Sequence, residues 1–80
     1  MMDQKQAWRG RLHSDYFWVE ARLTRQNGRW LASVDTPDGP TLAWGRTAFS
    51  ALVGALEPFD SLAIRLIHSA PPDLIELIGT

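Results

Sequence analysis

Few residues in this chain have the types and spacing that chemistry needs. His13-Ser14-Asp15 contains the three residue types of a serine-hydrolase triad. Consecutive side chains diverge, whereas nucleophile, base and orienting carboxylate must converge from separate segments. The tripeptide therefore reads as a loop or a strand entry. His68, the other histidine, has no second histidine or carboxylate at ligand spacing and reads as a partly exposed helix residue. Glu20 and Asp35 are the one acidic pair that a hairpin register brings together, and so the one candidate pair for general acid–base work. Flat strands give them no pocket, which favours a structural or contact role. Gly45-Arg46-Thr47 precedes a helical segment, where free N–H groups attract anions. The glycines and lysine of a phosphate loop are missing, so the glycine reads as a strand-to-helix joint and Thr47 as a helix cap. No catalytic residue, cofactor or metal site is expected. The chain has no cysteine, which removes disulfides and thiolate zinc sites.

A stronger signal is the interleaving of tryptophan and arginine. Trp8, Trp18, Trp30 and Trp44 all lie in the first half, each within four residues of an arginine. Residues 1–46 carry seven basic side chains against five acidic, and residues 47–80 carry Arg65 against Glu57, Asp60, Asp73 and Glu76. The net charge of −1 gives no global pull toward nucleic acid. Aromatic and arginine side chains together suit base stacking beside phosphate, or the anchors of a protein interface. The near-neutral charge favours the protein partner, with RNA or single-stranded nucleic acid second.

These side chains need elements to hold them. Residues 1–10 are polar and aperiodic and are expected to form a flexible arm, with Trp8 tethering its end. "FWVEARLTRQNGRWLASVDT" reads as two strands joined by Asn27-Gly28, a pair suited to a type I′ turn. A two-residue loop sets Gln26 opposite Arg29, Arg25 opposite Trp30, Leu23 opposite Ala32, Ala21 opposite Val34 and Val19 opposite Thr36. One face then collects Phe17, Val19, Ala21, Leu23, Trp30, Ala32 and Val34 for burial. The other carries Trp18, Glu20, Arg22, Thr24, Leu31, Ser33 and Asp35. Glu20 opposite Asp35 is a like-charge pair that needs Arg22 or Arg46 nearby. "TPDGP" is a turn and "TLAW" a third strand. Phe49, Leu52, Val53 and Leu56 recur at helical spacing after Thr47, while Ala51, Gly54 and Ala55 permit close approach to a sheet. Pro58 ends that helix. Residues 59–70 and 71–79 carry helix signals, although Leu62, Ile64 and Leu66 also alternate as in a strand.

The hairpin, the short third strand and then "WGRTAFSALVGAL" resemble the HicB-like antitoxin domain, a three-stranded sheet followed by a helix. Gly45, Thr47, Ala51 and Ala55 fit the glycine, threonine and spaced alanines with which that family's helix opens. The likeness covers residues 17–57, and "ASVDTPDGPTLAWG" resembles the family's strand, proline-bearing loop and strand. Ser50 stands where the family commonly has an acidic residue, and residues 58–80 are too short and apolar for its DNA-binding element. The resemblance implies a small bacterial, non-enzymatic protein that forms a homodimer or binds a protein partner, an RNA-cleaving toxin being the partner type the family suggests.

The expectation is thus one α+β domain over 1–80. It has an antiparallel sheet of at least three strands (16–25, 29–36, 41–45; β-β-β-α), a covering helix over 47–57 and a short helical C-terminal segment. Its working surface is Trp18, Glu20, Arg22, Leu31, Ser33 and Trp44, with Arg46 beside it. So small a core with an open sheet face invites a partner. "MMDQKQAWRG" lacks the apolar region of a signal peptide and no run is long enough to span a bilayer, so no membrane association and a cytoplasmic location are expected.

Overall fold

The computed structural model describes residues 6–79. Four strands follow one another along a single antiparallel sheet: β1 (Ala7–His13), β2 (Trp18–Gln26), β3 (Arg29–Thr36) and β4 (Gly39–Gly45). Three helices come after it: α1 (Ala48–Leu56), α2 (Leu62–His68) and α3 (Pro72–Ile78). The fold is therefore α+β, with the sheet first and the helices second.

The β2–β3 hairpin turns as its sequence requires. Asn27 and Gly28 both take positive φ, 53° and 81°, the pair of angles a type I′ turn needs. The resulting register runs from Gln26↔Arg29 through Arg25↔Trp30 and Leu23↔Ala32 to Ala21↔Val34. There the ladder stops. The expected Val19↔Thr36 pairing is absent from it, because β2 continues to Trp18 on β1 while β3 continues to Thr36 on β4. The two central strands separate at this end, where Phe17 stacks on Phe59 at 5.7 Å.

The expected arm over residues 1–10 is corrected by β1. Residues 1–5 lie outside the described residues, but Ala7–His13 pairs along its whole length with Thr24–Trp18. Trp8 and Leu12 point into the core and are buried. The Trp8 indole lies across Gly10, where an added Cβ would come 2.6 Å from its Cζ2. Its Nε1 donates to Asp73 Oδ2 at 3.1 Å, joining the first strand to the last helix.

The helices cover the inner sheet face. Thr47 caps α1 through a capping box: its hydroxyl accepts from Ser50 N at 3.0 Å, and Ser50 Oγ accepts from Thr47 N at 3.3 Å. Gly45 is the joint before it, since a Cβ there would lie 2.5 Å from the backbone nitrogen of Ala51. Gly54 approaches Ala43 closely, and Thr41 Oγ1 donates to the Ala55 carbonyl at 2.7 Å, so α1 lies down on β4. Pro58 converts the end of α1 into a short 3-10 turn, Glu57–Phe59. Leu52, Leu56, Leu66 and Leu74 then meet Leu12, Leu23 and Val34 in the core. Among the described residues no helix is long and apolar enough to cross a membrane.

Candidate functional site: the outer sheet face

Alternation along each strand sends every second side chain away from the helices. On β2 these are Trp18, Glu20, Arg22 and Thr24, and on β3 Leu31, Ser33 and Asp35. On β4 they are Pro40, Leu42 and Trp44, all exposed. Six of the seven residues read from the sequence as a working surface thus share this face. Arg46 does not. It follows β4 in the bend before α1, exposed at the end of the sheet's edge. Sequence reading missed Arg9, Arg11 and His13, which β1 adds to the same face, and Leu42 and Arg29 on the β4 side.

The register defines neighbours across the face. Arg9 sits opposite Arg22, which is opposite Ser33, which is opposite Leu42. Thr24, Leu31 and Trp44 form the next row. Trp18 is 54% exposed and Trp44 50%. Six residues of strand, about 20 Å at the usual rise, separate their rows, so they anchor opposite ends of the surface. Each ring carries a guanidinium: Arg11 lies 4.0 Å from the centroid of Trp18 and Arg29 4.9 Å from that of Trp44. Such stacks hold a flexible arginine flat beside a rigid aromatic surface.

The acidic residues each find a cation. Arg11 Nε bonds Glu20 Oε2 at 3.4 Å, and Arg22 reaches Asp35 Oδ2 at 3.3 Å and Ser33 Oγ at 3.5 Å. The expected Glu20↔Asp35 opposition is likewise absent from the ladder, which ends at Ala21↔Val34, and each carboxylate bonds its own arginine, Asp35 taking Arg22, one of the two cations the sequence pointed to. These pairs are half-exposed and contribute little to stability. Where β2 and β3 part, a groove of about 610 Å³ opens, floored by Phe17, Val19 and Phe59 and flanked by Trp18 and Pro37. Glu20 and Asp35 stand on its rim.

The histidines meet elsewhere. His13, Ser14, Asp15, Arg65 and His68 border one shallow surface cleft at the far end of β1 and α2. Asp15 is held by Arg65 at 3.2 Å, and the Ser69 hydroxyl accepts from His13 N while donating to the Leu66 carbonyl. Among the described residues the bonds at this cleft run from the His13 backbone and from Arg65, and none joins an imidazole to a hydroxyl or carboxylate. The described residues also contain no group of three metal-ligating side chains.

Comparison with known proteins returns no matching family model, no matching curated protein and no matching solved structure.

Proposed function

We propose that this chain is a non-enzymatic binding and regulatory module of the HicB-like kind, whose outer sheet face engages a protein partner. One observation carries the reading: the face left uncovered by the helices presents Trp18, Leu31, Leu42 and Trp44 with arginines stacked on both tryptophans. Tryptophan and arginine are the residues that most often anchor protein interfaces, and β-strands hold them rigidly. Two anchors some 20 Å apart suit a footprint of protein size. The hairpin, the third strand and a helix opening on Gly45-Arg46-Thr47 support the HicB-like assignment, in which an RNA-cleaving toxin is one partner type. A cytoplasmic location belongs to this proposal.

A second reading is favoured by Arg9 lying directly opposite Arg22. Like charges face to face on an exposed sheet are unfavourable, the Asp35 partner of Arg22 offsets one of the two, and a single-stranded RNA backbone would add further negative charge over them. One experiment separates the readings. Capture from native extract is compared for the wild-type chain, Trp18→Ala and Arg22→Ala at low and high salt, alongside binding of a short uridine oligonucleotide. A protein captured by the wild type and lost in Trp18→Ala, with weak salt dependence, supports the first reading. Oligonucleotide binding that collapses with salt and falls in both variants replaces it with the second. Capture unchanged in both variants refutes the face as the site.

A further inference from the structure

The sheet has two edges, and they differ in charge. β1 carries Arg9, Arg11 and His13 on its outer face. β4, GPTLAWG, carries no charged residue at all, and its Leu42 is 65% exposed. Charged side chains are the usual guard against edge-to-edge pairing, and β4 lacks them. Its one guard is Pro40.

Backbone parity tells which groups face the open edge. The two-residue turn Pro37-Asp38 makes Thr36↔Gly39 the closing pair, so Val34↔Thr41 and Ala32↔Ala43 exchange the ladder bonds. Pro40, Leu42 and Trp44 therefore turn their N–H and C=O groups outward, with no N–H at Pro40. Antiparallel pairing of β4 with a second copy over its full seven residues puts the two-fold axis at Leu42. Leu42 is one of the outward residues, so that register is available to the hydrogen bonds. Leu42 exchanges both bonds with its counterpart. Each Trp44 N–H reaches the Pro40 carbonyl of the other copy, and the Trp44 indole packs on that proline ring.

The ends of the strand complete the match. In this register Arg46 falls opposite Asp38 of the second copy, twice by symmetry. Both side chains are exposed, and neither has an ion pair within the chain among the described residues. The same operation on β1 sets Arg9 against Arg11 of the copy, which repels. The geometry points to a homodimer joined through β4, centred on Leu42 and closed at each end by an Arg46–Asp38 pair, in which two sheets become one of eight strands. The inference concerns the β4 edge; it shares Leu42 and Trp44 with the partner surface proposed above, whereas Trp18 belongs to that surface alone.

Sedimentation equilibrium at about 100 µM chain, where a small interface of this kind is populated, tests it. The wild type is expected at twice the 9.0 kDa chain mass. Leu42→Lys and Leu42→Asp each place like charges on the axis and are expected as folded monomers, since the side chain is exposed in the single chain. An equimolar mixture of the two is expected to regain the dimer. Asp38→Arg and Arg46→Asp each weaken association, and the double variant restores it to within about twofold, as a rim ion pair does. Trp18→Ala leaves the dimer intact. A monomeric wild type, a dimer that survives Leu42→Lys, a mixture that stays monomeric or a species larger than a dimer overturns the proposal.

Discussion

Replacing Trp8 by Phe probes the strand that sequence periodicity concealed. Trp8 is 5% exposed, its ring covers Gly10, and its Nε1–H bonds Asp73 across 65 residues of chain. Phenylalanine keeps an aromatic ring but loses the N–H donor and part of the ring volume. The hydrogen bond contributes about 1 kcal/mol, because Asp73 is itself exposed and water competes for it. The missing ring atoms leave a void costing about 1–2 kcal/mol. At about 4–8 °C per kcal/mol for a domain of this size, the sum is a fall in melting temperature of roughly 10–20 °C. Thermal unfolding followed by far-UV circular dichroism measures it, and urea unfolding gives the free energy independently. Because Trp8 joins β1 to α3, amide exchange in residues 72–78 is expected to speed up as well. A melting temperature within 2 °C of the wild type would refute the reasoning and return residues 7–10 to the status of an arm.

Other substitutions follow the same logic. Gly45→Ala drives a methyl against the Ser50 hydroxyl and into the backbone of Ala51, and a loss of about 1–3 kcal/mol in urea unfolding is expected, since even if Ser50 leaves its capping position the Ala51 backbone cannot yield. Thr47→Ala removes the hydroxyl that caps α1 and is expected to cost about 1 kcal/mol, with Thr47→Ser recovering most of it. Glu20→Gln breaks an exposed ion pair with Arg11 and is expected to change stability by less than about 0.5 kcal/mol, so a larger loss would mean the pair is more than a surface contact. Gly54→Ala sets a gain in helix propensity of up to about 1 kcal/mol against a Cβ only 2.9 Å from that of Ala43; a net loss is expected, and a gain would show that α1 can lift off β4.

Much of the fold was legible because one physical signal decided each part of it. Asn27-Gly28 permits a turn with two positive φ angles, and that turn fixes the register down to Ala21↔Val34. Parity then put Trp18, Glu20, Arg22, Leu31 and Ser33 on one side and Trp30 in the core, where it is 8% exposed. The helix opening at Thr47 followed from its cap, whereas residues 59–79 carried helix signals beside a strand-like alternation, and the structure makes them two helices, neither with a side-chain cap. The first strand was hidden by Gly10. The inward sequence is Trp8, Gly10, Leu12, and the middle position shows no apolar residue because the Trp8 ring already fills its space. Arg9, Arg11 and His13 alternate on the other side of that strand, and this was the available signal. The parting of β2 from β3 beyond Ala21 had no local signature, and the Phe17–Phe59 stack found there joins residues some forty positions apart. Sequence places Arg46 two residues from Trp44, but the chain has already left the strand there.

The most direct test of the outer face as the working surface is photo-crosslinking in the native cell. A benzophenone amino acid replaces Thr24 on the sheet face in one variant and Ile64, 62% exposed on α2, in another. The account expects a discrete protein adduct from position 24 that weakens when Trp18→Ala is added, and none from position 64. Adducts of equal yield from both positions, or an adduct from position 64 alone, would contradict it.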